Sequence, residues 1–392
     1  MVAAVVAASC VITGIVVGGQ LDARIGKHDA VLDRSEPFAY SAQKLYAALS
    51  AADAAAATEY LSGGLETSAM RARYQQALAD AAEALTDATL GATDADTRTT
   101  LAQISADLAA YTGQVESARA NNRQGFAVGA AYFREASSLM QTSMLPDAER
   151  IYTGGLRAVD ADQGSVAALP VVGLVLLVVV LVVIAVGSLI LIGRTNRQFN
   201  KGLVGAAIVV LLVIGWIVVA NRFAASNVER SRTEGTARFE QLADARVLAQ
   251  KARTDETLEL IARGDIAAGE KSFNDHVGQL STLLQQGPVA AADAALGWTA
   301  SHRKQVQAYQ GGDYGAALRQ AIGDDPAGSA AQFAAVEASV SDAIEQSRAT
   351  LRDDVSSAGA RLSWSPTGAL VLMLIAAAAA VVGLWPRLKE FL

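Results

Sequence analysis

The chain has 392 residues, of which 52% are hydrophobic and only 6% aromatic, and a formal charge of −7 at pH 7. Such numbers describe a membrane protein or an Ala-rich helical one, and this sequence is both in separate segments. The acidic balance points away from nucleic acid, and the single cysteine, Cys10, excludes an internal disulfide.

The first element, residues 2–19, is an apolar run without an ionisable residue. It approaches the roughly 20 residues that a helix needs to cross a ~30 Å hydrocarbon core. No basic stretch precedes it, so it reads as an uncleaved span and not a signal peptide. The missing basic flank points to a natural start upstream of Met1. A lipid-modified Cys10 is disfavoured because the apolar run continues past it; Cys10 reads as a small buried residue. Gly14 and Gly18 form a GxxxG pair suited to close helix packing.

Residues 20–168 read as helix throughout, being Ala-rich and poor in Pro. Breakers at 62–64 (SGG), 91–94 (GATD) and 121–125 (NNRQG) divide the segment into four helices. Leu101, Ile104, Leu108, Tyr111 and Val115 are spaced 3-4-3-4, the seam of helices packed nearly parallel. Leu45, Leu49, Ala52 and Ala56 form a similar core stripe. The first and third turns belong at the membrane-distal tip, and the fourth helix is expected to run straight into the next span. The first and fourth helices also form a stalk, since a 40-residue helix reaches about 60 Å.

Residues 169–193 and 202–220 are the second and third spans, joined by the loop 194–201, which carries Arg194, Arg197 and Lys201 and no acid. The fourth span is 367–385, followed by the tail 386–392 with Arg387 and Lys389 against Glu390. Loop and tail belong in the cytoplasm by the positive-inside rule, which puts both termini inside and 20–168 and 221–366 outside. The loop carries +3 and the tail +1, leaving −11 on the rest. Trp216, Trp364 and Trp385 fall near span ends, where indole rings favour the interface.

Residues 221–366 repeat the helical pattern, with breaks at 263–265 (RGD), 286–288 (QGP) and 311–313 (GGD) and a further break at 323–326 (GDDP). Phe333, Val336, Val340 and Ile344 continue the core theme. Ala52/Ala252, Glu59/Glu259 and Gly64/Gly264 stay in register, and GAA recurs at 129–131 and 315–317. The expected fold is an all-α membrane protein: four transmembrane helices and two extracytoplasmic four-helix-bundle domains arranged as parallel repeats.

No catalytic constellation emerges. His28, His276 and His302 lack ligand-like spacing with Cys or carboxylates, so no metal or cofactor is expected. The RGD tripeptide reads as a helix-end turn. The spans lack the ionisable groups that pumps and ion-coupled carriers place in the membrane. Cytoplasmic segments of eight and seven residues are too small for an enzyme domain. A signal must therefore leave through a non-covalent partner, and the surface available is Arg194, Arg197, Phe199 and Lys201 with Arg387, Leu388 and Lys389. The same cations also suit anionic membrane lipid.

The run RANNRQGFAVGAAYFREAS, residues 119–137, stands apart. Arg119, Asn121, Asn122, Arg123, Gln124 and Phe126 place polar side chains and an aromatic at one turn, either as a cap between two helices or as a docking surface. This run, the four spans, the paired outer segments and the short basic tail resemble the GlnX-type membrane proteins of actinobacteria. The resemblance implies a bacterial plasma-membrane relay between an extracytoplasmic amino-acid-binding lipoprotein (GlnH) and a cytosolic Ser/Thr kinase (protein kinase G), reporting aspartate or glutamate. It brings no binding residues with it, and the abrupt N-terminus departs from it. Two other readings stay open: a non-catalytic transport or cell-envelope scaffold subunit, and a chemoreceptor-like sensor that binds its small molecule directly between bundle helices.

Overall fold

A computed structural model describes residues 2–63, 67–167, 169–195, 200–362 and 364–388, and among these every regular element is helical. In chain order they are α1 (Val2–Ala30), α2 (Glu36–Leu61), α3 (Ser68–Gly91), α4 (Ala95–Arg123), α5 (Val128–Leu139), α6 (Leu145–Ala167) and α7 (Val171–Thr195). Then come α8 (Lys201–Arg230), α9 (Ala237–Ala262), α10 (Ala267–Leu284), α11 (Val289–Gln310), α12 (Tyr314–Ile322), α13 (Ser329–Leu362) and α14 (Ser365–Leu388). Three π-helical turns join neighbours without a break: Val31–Ser35, Met140–Met144 and Ser231–Thr236.

The chain divides into two compact units. The first comprises Met1–Asp33, Asp160–Thr233 and Leu351–Leu392. It holds the apolar parts of α1, α7, α8 and α14, among the described residues the four helices long and apolar enough to cross a membrane. α14 packs on α1 and α8, and α7 on the same two. Val6, Cys10, Val17, Leu177, Val210 and Met373 are buried between them. Gly14 of the GxxxG pair lies against Met373, where a Cβ would come within 2.9 Å of the methionine Cβ. Gly202 and Gly383 pass backbone to backbone, leaving no room for a side chain on either. Asn200 fixes this crossing by accepting from Gly202 N (2.9 Å) and donating to Gly383 O (3.0 Å).

The outer faces of these helices remain apolar and exposed, with Leu189, Leu211 and Val382 each more than half accessible. A surface of that kind needs lipid or protein cover. Beyond the apolar stretches the contacts turn polar: Lys27 pairs with Asp162 (2.9 Å), Arg24 donates to Asn221 (3.0 Å), and Arg232 pairs with Asp160.

The second unit comprises Arg34–Val159 and Glu234–Thr350. Here α2 packs on α3 and α9, with lesser contacts to α4 and α5, while α9 packs on α10 and α11 on α12. The expected stripes form its core: Leu45, Leu49, Ala52, Ala56, Leu101, Ile104, Tyr111, Val336 and Val340 are all buried. Leu108 and Phe333 are only partly covered. The helix starts are capped as their sequences dictate. Asp94 accepts from Thr97 N (2.7 Å), Thr67 from Met70 N (3.2 Å) and Asp313 from Ala316 N (2.8 Å), each cap worth about 1 kcal/mol. At the end of α4, Gly125 adopts φ +73°, and Phe126 N and Gly125 N donate to Asn121 O and Asn122 O. That pattern closes a helix by satisfying its last carbonyls, and it favours glycine because the left-handed region penalises a Cβ.

The two halves correspond at a spacing of 200 residues beyond the pairs visible by identity. π-Helical turns begin at Val31 and Ser231, and left-handed stops fall at Gly63 and Arg263. Glu59 and Glu259 are both buried. Arg263, the one non-glycine with positive φ among the described residues, stacks its guanidinium 4.6 Å above the Tyr314 ring. Asp265 next to it accepts from Ala267 N (2.9 Å), so the RGD tripeptide serves as a stop and a start for helices.

Two details depart from expectation. The second half gains a fifth helix, because the GDDP break isolates the short α12. The fourth helix of the first half does not run on into the next apolar helix. α6 ends at Ala167 and α7 begins at Val171, after Pro170, whose ring and missing N–H oppose a continuous helix. Uninterrupted passage belongs instead to the first helix of each half, in the runs Val2–Leu61 and Lys201–Ala262.

Candidate functional site

The six residues singled out around 119–126 lie together at the α4–α5 turn, but most of them are engaged within the chain. Asn121 Nδ2 donates to Ser117 O (2.8 Å), and Asn122 Nδ2 donates to Tyr60 O (2.7 Å), tying the end of α4 to the end of α2. Arg119 pairs with Glu116 (3.2 Å), and Gln124 Nε2 donates to Ala120 O (3.3 Å). Beneath them Tyr60 and Phe133 stack with centroids 5.2 Å apart, and Gly129 sits so close to Ala118 O that no side chain fits. The outward surface is formed by Arg123, Gln124 and Phe126, joined by Val128 and Tyr132. Those last two were missed at the sequence level. Their signal was an i, i+4 spacing set one residue ahead of the buried Gly129 and Phe133, and so turned to an adjacent face.

Of the cytoplasmic candidates, Arg194 lies in the last turn of α7, Lys201 is the exposed first residue of α8, and Arg387 and Leu388 end α14. Arg197, Phe199 and Lys389 lie outside the described residues.

Folding also assembles two buried polar clusters that spacing along the chain concealed. In the first half, Asp53 on α2 is fully enclosed. Its Oδ1 accepts from Tyr111 Oη (3.1 Å), and its Oδ2 from Ser137 Oγ (3.0 Å) and Gln141 Nε2 (3.0 Å). Burial pushes its carboxyl above the ordinary carboxylate range, and the three hydrogen bonds pull partly the other way.

In the second half, Glu256 on α9 is inaccessible to solvent. Its Oε2 accepts from Arg253 Nη1 (2.5 Å) and Trp298 Nε1 (3.1 Å), while its Oε1 meets His302 Nδ1 (3.1 Å). The other ring nitrogen, His302 Nε2, lies 2.6 Å from Glu270 Oε1, and Phe273 stacks on the imidazole at 3.6 Å. Burial opposes ionisation of Glu256, but Arg253 and His302 outweigh it and hold the carboxyl below its usual range. For His302, burial opposes protonation, yet its bonds to Glu256 and Glu270 raise it to about 9. Glu259, one turn beyond Glu256, is raised to about 8 by burial, with the Glu270 and Glu256 charges adding. Its Oε1 accepts from Gln305 Nε2 (3.1 Å), and its Oε2 has no hydrogen-bond partner. His302 has no ligand-like spacing to carboxylates along the chain, yet folding sets it against Glu256 and Glu270. Residues distant in sequence meet because α9, α10 and α11 are neighbours.

A groove of about 530 Å³ runs along α2, lined by Ala51, Met70, Arg73, Arg253, Asp324 and Phe333 among others. The Arg253 guanidinium lies 5.7 Å from the centre of the Phe333 ring. The volume falls in the range of small-molecule sites.

Residues 27–164 match the actinobacterial sensor domain, a region that runs from the end of α1 into α6. No curated protein and no solved structure matches the chain. The match supports a sensor protein of actinobacteria, and with the four apolar helices it suggests a sensing role at a membrane.

Proposed function

We propose that the chain is a transmembrane signal relay and not an enzyme. An amino-acid-binding lipoprotein carrying aspartate or glutamate docks on its extracytoplasmic side, and a cytosolic Ser/Thr kinase reads its cytoplasmic edge. The observation that carries this reading is where the sensor similarity falls. It begins at residue 27, inside the uninterrupted run Val2–Leu61 that also contains an apolar stretch of spanning length. A sensor whose first helix is one piece with a candidate span needs no separate transmission element. A docked partner that prefers one packing of α2 and α9 shifts the population of that packing, and the helix passes the change on. The π-helical turns at Val31–Ser35 and Ser231–Thr236 lie on these runs, and such turns recur at functional sites because an extra residue rotates one side of the helix against the other.

In this reading residues 2–19, 169–193, 202–220 and 367–385 span the membrane with both termini inside. The outer segments 20–168 and 221–366 are parallel helical repeats built on a four-helix plan, the second with the short α12 added, supported by the 200-residue correspondence of turns and buried acids. Arg123, Phe126, Val128 and Tyr132 form the docking face. Arg194, Arg197, Phe199, Lys201, Arg387, Leu388 and Lys389 form the output face. The test is binding of the solute-binding protein to the full chain in nanodiscs, with and without glutamate. Ligand-dependent binding that Phe126→Ala weakens supports the relay; no binding in either state sinks it.

One observation favours a second reading, the direct sensor. The α2 groove offers the cation of Arg73 and the acid of Asp324 on a wall rich in alanine, a set that suits a zwitterion. Calorimetric titration of the purified full chain with aspartate separates the two, since only the direct sensor binds it unaided.

A further inference from the structure

We propose that Glu259, Glu270 and His302 form a binding site for one divalent transition-metal ion, zinc being the natural occupant, which staples α9, α10 and α11 together in the second half. The proposal stands apart from whatever docks at the α4–α5 turn.

One ligand atom from each residue lies within 4.8 Å of the other two. A tetrahedral zinc site with oxygen and nitrogen ligands at about 2.0–2.2 Å needs its donors about 3.4 Å apart. Small side-chain rotations therefore close the site. Two carboxylates and one imidazole leave the fourth position for water, an N/O set that suits zinc and its first-row neighbours.

Three further observations single out this cluster from an ordinary acidic patch. Glu259 is only 7% exposed, yet its Oε2 has no hydrogen-bond partner. A buried carboxylate oxygen left so is costly unless something else binds it. Position 269 is glycine, and a Cβ there would come within 3.3 Å of that same oxygen, so the space beside it is kept clear. The imidazole is also held as metal-bound histidines are held: Glu256 meets its Nδ1 at 3.1 Å, Phe273 fixes its plane, and Nε2 is directed at Glu270. The ion takes the place of the His302 Nε2 proton and of the proton that burial keeps on Glu259, and both leave to solvent. Zinc with Glu259, Glu270 and neutral His302 is then charge-balanced, beside the already balanced Arg253–Glu256 pair.

Among the described residues the first half does not repeat the site. It keeps Glu59, but 200 residues before Glu270 and His302 stand Met70 and Ala102. The ion would brace one half and leave the other to move.

The test uses the full chain in detergent, stripped with chelator and titrated with Zn²⁺ by calorimetry and with Co²⁺ by visible absorption. One ion per chain, with cobalt bands of a low-coordinate site and a raised unfolding temperature, is the expected result. Glu270→Gln removes a ligand whose side chain is partly exposed and keeps its size, so it leaves the buried core intact. It should weaken binding at least tenfold, as should Glu259→Gln, with unchanged far-UV circular dichroism. Failure of the stripped wild type to bind a stoichiometric ion overturns the proposal. So does equal affinity in folded Glu270→Gln and Glu259→Gln.

Discussion

Replacing Asp53 distinguishes a buried acceptor from a buried charge. Asp53→Ala leaves the hydroxyls of Tyr111 and Ser137, both essentially inaccessible, without their acceptor. Each orphaned buried donor costs roughly 1–2 kcal/mol, so the variant loses about 3 kcal/mol. Gln141 is half-buried and turns to water instead. Asp53→Asn behaves differently, because its amide oxygen still accepts from Tyr111 while Ser137 Oγ reverses to accept from the new amide. It also removes the pH dependence. The folded-state carboxyl of Asp53 is raised, so the stability it contributes is fully present below the ordinary aspartate pKa of about 3.9 and is lost as pH rises through the raised value. Asp53→Asn should therefore match the wild type at acid pH and surpass it as pH rises. Thermal unfolding of the detergent-solubilised chain, followed by circular dichroism across pH, reads both effects. An Asn variant as unstable as the Ala variant at every pH would refute the reasoning.

Glu256→Gln leaves Arg253 buried without its counter-charge and should destabilise the chain by about 3–5 kcal/mol, seen as a lower unfolding temperature in chelator. Gly383→Val places side-chain atoms against the Gly202 backbone and should lower the unfolding temperature in nanodiscs, whereas Gly368→Val, with nothing within 4 Å, should not. Asn122→Ala breaks the bond to Tyr60 O and should cost about 1 kcal/mol of stability, while Phe126→Ala should leave stability unchanged and weaken partner binding. Equal stability of those two variants would show that the Asn122 bond carries nothing.

The apolar helices, the helix breaks and the core stripes were legible because they are local. Hydropathy marks the first, glycine and proline the second, and 3-4 spacing the third, as Leu101, Ile104 and Tyr111 show. The π-helical turns were not legible, since one extra residue per turn barely disturbs a pattern as Ala-rich as this one. The stop before Val171 was written in Pro170, but the apolar run around it masked the break. At the α4–α5 turn, the Asn-Arg-Gln-Gly stretch announced both a cap and a surface, and only packing separates them: Asn121 and Asn122 turn inward while Arg123 and Phe126 face out. His302 was illegible as a cluster member because its partners Glu256, Glu259 and Glu270 come from two other helices.

The measurement that bears most directly on the relay is phosphorylation of a kinase substrate in cells, with and without external aspartate or glutamate. Three strains are compared, carrying the intact chain, no chain, and Phe126→Ala with Arg123→Ala at normal membrane level. The account predicts a response with the intact chain and none in the other two. A full response in cells lacking the chain would contradict it.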